Sequence, residues 1–281
     1  MPCRDAGDAP MKHADDAIAW TGFPLHDDVI VTRAEGWTIR HVPDISLDEV
    51  LRALREPGEV LKRSKKSTSS RVGNWVVKTS LRGGFGALKR TLCLSRYRRG
   101  WTAARYLERK GVSVPRALAF AEERNGGLIM RNALVSQYLD GCCDVEAHAD
   151  AMIVRAAGDD EVAAYLRRLA EAVNALCASG AFHGDLAGKN ILTRDGEAFY
   201  FIDLDGVGLN VAYTDAMRFK NHVQLYDSLC DKWPDAFLEP FLLHMLPDRL
   251  DAARWMDHVR SAQAQRRAII EAKWRKQGRI P

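Results

Sequence analysis

Hydrophobic and polar positions follow one rhythm in the first half of the chain and another in the second. Gly36 to Val42 predicts a short strand, and Ser46 to Leu54 has the apolar spacing of a short helix opened by an N-cap serine. Glu59 to Lys62 and Asn74 to Thr79 predict strands on either side of a polar loop, Ser64 to Ser70. The β-prone run Trp75-Val76-Val77 ends in Lys78. Arg98 to Lys110 predicts a helix stopped by Gly111, with Pro115 shortly after. Ala117 to Glu122 and Leu128 to Arg131 predict a hairpin around Asn125-Gly126-Gly127, and Ala133 to Tyr138 a further strand before the break Asp140-Gly141.

Beyond that break the period lengthens. Val162, Tyr165, Leu166, Leu169, Val173 and Leu176 recur mostly every three or four residues, the mark of one buried helix face. Gly180 closes that helix and a loop begins at His183. Ile191-Leu192 and Phe199 to Ile202 bracket Asp195-Gly196, a strong hairpin signal. After Asp215 the pattern is helical up to Trp274. The expected architecture is α+β: a disordered tail over 1–19, a β-rich lobe over 20–138 and a mainly helical lobe over 139–281. Polar loops at such a seam suit a nucleotide cleft.

With 47% hydrophobic and 28% charged residues, the composition is that of an ordinary globular protein. No apolar stretch approaches the ~20 residues of a membrane span. Met1 to Asp16 carries four Asp and no apolar run, so no secretory signal is expected. Cys3, Cys93, Cys142, Cys143, Cys177 and Cys230 form no CxxC pair and lack zinc-ligand spacing. Reduced thiols in a cytoplasmic protein are the expectation. Charge is unevenly spread: Lys62 to Lys110 holds 15 Lys or Arg against one acid, Glu108. Such a block is a solvated face or a surface for a phosphate-rich partner. No nucleic-acid-binding signature accompanies it, so nucleic acid is not expected.

The residues richest in chemistry are His183-Gly184-Asp185-Leu186-Ala187-Gly188-Lys189-Asn190-Ile191-Leu192, followed by Phe201-Ile202-Asp203. Phosphoryl transfer demands positioning and charge neutralisation. One carboxylate must take or orient the proton of the attacking hydroxyl. A second carboxylate and a neutral oxygen must hold Mg²⁺ against the phosphates. Asp185, Asn190 and Asp203 supply that set. Their spacing matches the protein-kinase superfamily pattern HxDxxxxN with a later metal-binding Asp, and it implies the two-lobed protein-kinase-like fold.

Lys78 fits the strand lysine that grips the nucleotide's phosphates; the alternative is a solvated strand end. Its usual partner is a Glu on the next helix, and Glu108 is the only candidate, late in that helix. No GxGxxG precedes Lys78. In its place stands Ser64-Lys65-Lys66-Ser67-Thr68-Ser69-Ser70, where backbone amides and small hydroxyls such as that of Ser67 would cover phosphates, or which is a solvated turn. Asp205 reads as a contact to metal or acceptor, or as a cap of the next turn. His183 reads as a structural residue of its loop.

Taken together, these residues resemble the bacterial lipopolysaccharide core kinases, the Kdo and heptose kinases of Kdo/WaaP type. The resemblance runs from about Gly58 to Leu229. It includes Trp101 with Leu107, then Gly111-Val112-Ser113-Val114-Pro115-Arg116-Ala117-Leu118, similar to that family's "L…GVPTPRPL". Ile202-Asp203-Leu204-Asp205 is similar to the "IDFD" of some members. The resemblance implies ATP-dependent phosphorylation of an inner-core sugar at the cytoplasmic face of the inner membrane. It also implies Asp185 as base and Asn190 and Asp203 as metal ligands. Members often carry Glu just before the helix tryptophan; here that position is Gly100.

Two other readings use the same residues. A small-molecule phosphotransferase of the antibiotic type shares the HGD loop, but usually has an acidic acceptor site where this chain is basic. A pseudokinase would explain the missing glycine-rich loop, yet has no need of Asp185, Asn190 and Asp203 together. Ordinary protein kinases carry Arg before the catalytic Asp and an A-P-E downstream, and this chain has neither. From Arg249 to Arg279, nine Lys or Arg and three acids are interspersed with Trp255, Met256, Val259, Ile269, Ile270 and Trp274. That pattern predicts either packing on the helical lobe or peripheral contact with an anionic membrane.

Overall fold

The computed structural model describes residues 29–64, 67–80 and 95–276. The expected tail over 1–19, Lys65 and Lys66, Cys3 and Cys93, and residues 81–94 of the basic block lie outside the described residues.

The first half builds one antiparallel sheet of seven strands. They are β1 (Ile30–Ala34), β2 (Trp37–His41), β3 (Glu59–Arg63), β4 (Ser67–Val72), β5 (Trp75–Ser80), β6 (Ala117–Asn125) and β7 (Leu128–Gln137), in spatial order β1-β2-β6-β7-β5-β4-β3. Helix α1 (Leu47–Arg55) opens with a full capping box between Ser46 and Glu49. Helix α2 (Arg96–Arg109), capped by Ser95, lies against β6 and β7 and buries Trp101, Ala103, Ala104, Tyr106 and Leu107. Ala117 to Glu122 of β6 is buried without alternation, as expected of a central strand covered on both faces.

Two sequence expectations change. Ser67 to Ser70 is not loop but the start of β4, paired to β3 through Ser70↔Val60 and to β5 through Ser69↔Lys78. β3 ends at Arg63 and β4 begins at Ser67. The run Ser-Thr-Ser-Ser-Arg-Val looks like loop because most of the strand is only half-buried, so backbone pairing rather than apolar burial holds it. Leu128 to Arg131 and Ala133 to Tyr138 are parts of one strand, β7, whose polar Asn132 is buried rather than a break.

The second half contains α3 (Val145–Val154), α4 (Asp159–Ala178), α5 (Asp215–Leu229), α6 (Asp235–Leu243) and α7 (Ala252–Lys276). Short strands lie between them: β8 (Cys143–Asp144), β9 (Ala181–His183), β10 (Ile191–Arg194), β11 (Ala198–Phe201) and β12 (Val207–Leu209). All six residues of the periodic α4 stripe are buried. At ~1.5–3 kcal/mol per large apolar side chain, that face fixes α4 more firmly than helix propensity does.

Helix α7 clamps α5. Met256 and Val259 are buried, Trp255 meets Phe219 edge-on, and its indole Nε1–H donates to His222 Nδ1 at 3.0 Å. Burial, reinforced by the nearby Arg218 charge, holds the His222 pKa down at about 3. Burial also lowers that of His183. The unfolded chain therefore takes protons below about pH 6.5 that these folded histidines refuse. Stability is expected to be full above pH 6.5 and to fall by up to ~1.4 kcal/mol per pH unit per histidine as pH drops towards 4. Urea titrations at pH 7, 6 and 5 measure this, and His222→Gln should flatten the slope; an equal slope in the variant would remove His222 from the account.

Candidate active site

The thirteen-residue interval between Asn190 and Asp203 is the length of one hairpin. Strands β10 and β11 pair from Ile191↔Phe201 to Arg194↔Ala198. The turn needs positive φ at two successive residues, and Asp195 (φ 55) and Gly196 (φ 72) supply it, closed by Glu197 N–H on the Arg194 carbonyl. The two ends of the hairpin are thereby brought together, and Ile202 N–H donates to the Asn190 carbonyl at 2.9 Å. Asp203 follows in the left-handed region (φ 59), which Asp tolerates better than most residues, and starts a 3₁₀ turn over Leu204–Gly206.

The five-residue interval between Asp185 and Asn190 is closed by another 3₁₀ turn, Gly188–Asn190. Asn190 Nδ2 donates to the Asp185 carbonyl at 2.8 Å and to Asp185 Oδ2 at 3.0 Å. Both amide hydrogens are used on Asp185, so the amide oxygen is left as a neutral donor to a cation. The Asp185 carboxylate is 53% exposed and so open to an incoming hydroxyl.

Buried polar side chains of α5 hold this loop from below. Asn221 Nδ2 donates to the His183 carbonyl, Gln224 Nε2 donates to the Gly184 carbonyl, and Gln224 Oε1 accepts from Leu186 N–H. Ser228 Oγ accepts from Gly188 N–H. His183 Nδ1 accepts from Asp185 N–H at 3.2 Å, which leaves the ring proton on Nε2 to donate to the Ile202 carbonyl at 3.0 Å. The neutral, buried ring therefore ties the Asp185 loop to the Asp203 segment, as expected of a structural histidine.

Lys78 joins from the sheet. Its Nζ lies 2.5 Å from Asp203 Oδ1. Burial pushes the Asp203 carboxyl up, but the Lys78 hydrogen bond and the charges of Lys78, Arg96 and Lys62 together hold it below the usual carboxylate range. Asp203 is thus an anion fixed among cations. The Asp203 carboxylate and the Asn190 amide oxygen suit Mg²⁺, which takes oxygen ligands, keeps several waters and completes its shell with phosphates. No denser cluster of three His, Cys, Asp or Glu occurs among the described residues.

The structure thus brings together Lys78, Asp185, Asn190 and Asp203, and leaves out two expected residues. Glu108 pairs with Arg105 and Arg116 at the far end of α2, about 18 Å along the helix from Arg96 at 1.5 Å per residue. It cannot serve Lys78, whose partner is Asp203. Ser67 is buried at the start of β4, where its N–H donates to Ser64 Oγ and its hydroxyl contacts the same oxygen, and no hydrogen bond among the described residues links it to Lys78, Asp185, Asn190 or Asp203.

Sequence reasoning passed over Lys189 and Arg96. Lys189 Nζ lies 4.0 Å from Asp185 Oδ2, and its position four residues after Asp185 was the available signal. Arg96 Nε donates to Asp205 Oδ2, a pairing across 109 residues that no local pattern announces.

The family model for the lipopolysaccharide kinase (Kdo/WaaP) family matches residues 51–243, more than half of the chain. No curated protein matches in sequence. Among solved structures, WaaP in complex with acyl carrier protein is similar at 20% identity and a TM-score of 0.58, covering 77% of this chain and 91% of that one. WbdD gives 14% identity and 0.46, covering 74% and 51%, and a glucosamine kinase 17% and 0.38, covering 89% and 83%. At such identities the WaaP likeness speaks for the fold, a protein-kinase-like one, and the two weaker ones add nothing to it.

Proposed function

The chain belongs to the lipopolysaccharide kinase (Kdo/WaaP) family, and from that premise we propose that it transfers the γ-phosphoryl group of magnesium ATP to a hydroxyl of an inner-core sugar, Kdo or heptose. The observation that carries this reading is how Asp185, Asn190, Asp203 and Lys78 are linked: Asn190 is bonded to Asp185, Lys78 is paired with Asp203, and Ile202 N–H is held on the Asn190 carbonyl. The acceptor hydroxyl loses its proton to Asp185 as its oxygen bonds to phosphorus, and the bond from phosphorus to the ADP oxygen breaks. Asn190 holds the Asp185 carboxylate in place, while Lys189 and Lys78 carry positive charge towards the transferring and remaining phosphates. Asp203 and the Asn190 amide oxygen would hold Mg²⁺, which when bound offsets phosphate charge.

The purified protein is expected to phosphorylate dephosphorylated core oligosaccharide with ATP and magnesium, read by mass spectrometry as one added phosphate together with ADP release. ATP turnover indifferent to every core sugar would overturn the acceptor assignment.

Peripheral membrane contact fits the last helix. No helix among the described residues is long and apolar enough to cross a membrane. α7 up to Arg267 is committed to packing, since Trp255, Met256 and Val259 bind the helical lobe and Arg260, Arg266 and Arg267 pair with acids of α5, of the segment after it, and of α6. Its end is not: Ile269 is 70% exposed and Trp274 42%, beside exposed Lys273, Arg275 and Lys276. Each basic residue near an anionic surface contributes about 1 kcal/mol, so this end supports reversible docking. Co-sedimentation with anionic vesicles is expected to fall with salt and with Ile269→Glu and Trp274→Glu. Equal recovery with neutral and anionic vesicles would leave only the packing role.

A further inference from the structure

In the kinase pattern the strand lysine is paired with a glutamate of the following helix, and that pair couples the helix to the phosphates. This chain has no such glutamate: Glu108, the one acid of α2, is out of reach at its far end. Yet α2 makes close contact with the 3₁₀ turn Leu204–Gly206, directly after Asp203. A Cβ built on Gly100 would lie 3.7 Å from both the Cβ and the backbone N of Asp205, and 3.6 Å from Leu134 Cδ2. A methyl group there would sit in ordinary van der Waals contact.

One helical turn earlier on the same face stands Arg96, whose Nε donates to Asp205 Oδ2. Burial weighs against the Arg96 guanidinium, but the Asp205 carboxylate more than compensates, and Asp203 adds to it. The usual polarity is thereby reversed, with the cation on the helix and the anion on the metal-side loop. Lys78 binds Asp203 from the sheet while Arg96 binds Asp205 from the helix, so two ion pairs grip the ends of one three-residue stretch.

We propose that Arg96 is a positioning residue: its ion pair with Asp205 replaces the missing lysine–glutamate pair and sets where Asp203 presents its carboxylate. This rests on the reading of Asp203 as a metal ligand. In this role Arg96 acts through Asp205 rather than by contact with metal or nucleotide. It acts by limiting how far the Leu204–Gly206 turn can swing, with α2 packed against that turn at Gly100.

The test is a double-mutant cycle with Arg96→Ala, Asp205→Ala and the pair, beside the charge swap Arg96→Asp with Asp205→Arg. Coupled groups in contact give interaction energies that correspond to roughly 2- to 100-fold. Each single variant is expected to raise the magnesium concentration for half-maximal turnover by about tenfold, the double variant no more than either single one, and the swap to recover part of the loss. Amide exchange in the segment 203–207 should quicken in Arg96→Ala, read without nucleotide or turnover. Arg96→Lys guards against misfolding: it keeps the charge and should stay within a few-fold of the parent, with an unchanged melting temperature. Additive losses, or an unchanged magnesium requirement in folded Arg96→Ala, would overturn the proposal. If that happened while Asp185→Asn was inactive and Asp203→Ala lost its magnesium dependence, the site assignment would stand and only the role of Arg96 would fall.

Discussion

Asp185→Asn is expected to lower kcat by ~10²–10⁴-fold, the usual loss when a general base is removed, while ATP binding stays nearly intact. The substitution preserves shape. An asparagine oxygen can still accept the Asn190 Nδ2 hydrogen bond made at 3.0 Å, and the main-chain links from Asp185 to His183 and Asn190 do not involve the side chain. What disappears is the capacity to take the acceptor's proton and the negative charge 4.0 Å from Lys189. Because the carboxylate is half exposed and the loop is held from α5, neither folding nor nucleotide binding should change. Single-turnover kinetics with saturating ATP separate the chemical step from binding. A variant with parental kcat would mean that another group takes the proton.

Asp203→Ala is expected to act on binding. Magnesium ATP should bind about tenfold to hundredfold more weakly, the scale of losing a charge-assisted contact of ~1.5–3 kcal/mol. The difference between titrations with and without magnesium should largely vanish. ATP without magnesium is expected to bind as well as to the parent or better, since Lys78 no longer has its 2.5 Å carboxylate partner and is free for the phosphates. Calorimetry in the two conditions reads both effects at once. Undiminished magnesium dependence would move the metal away from Asp203. The two variants thus divide the site: one loses chemistry with binding kept, the other loses the metal-dependent part of binding.

Much of the site was legible because its key intervals are local. The interval from Asp185 to Asn190 is one 3₁₀ turn, and that from Asn190 to Asp203 is one hairpin with a left-handed turn at Asp195-Gly196. Such spacings follow from backbone geometry within twenty residues, so the pattern in the chain is already the pattern in space. The α4 stripe was legible for the same reason, since helical period alone puts its six residues on one face. β4 was not. Its serines and threonine carry no apolar alternation, and its pairing with β3 and β5 is made by main-chain groups that every residue type possesses.

What the sequence by itself determined is the set of groups Asp185, Asn190 and Asp203, their local order, and the two kinds of lobe, because short-range turns and periodicities depend only on neighbouring residues. What the tertiary structure alone decided is how the charges pair. Lys78 lies 125 residues from Asp203 and Arg96 lies 109 from Asp205, and nothing local selects those partners over Glu108. The selection comes from packing. β5 is placed by its register with β7, and α2 packs closely on the turn after Asp203 with Gly100 facing Asp205. An ion pair forms where folding leaves opposite charges within reach, and at distances of a few ångströms that is a property of the assembled core.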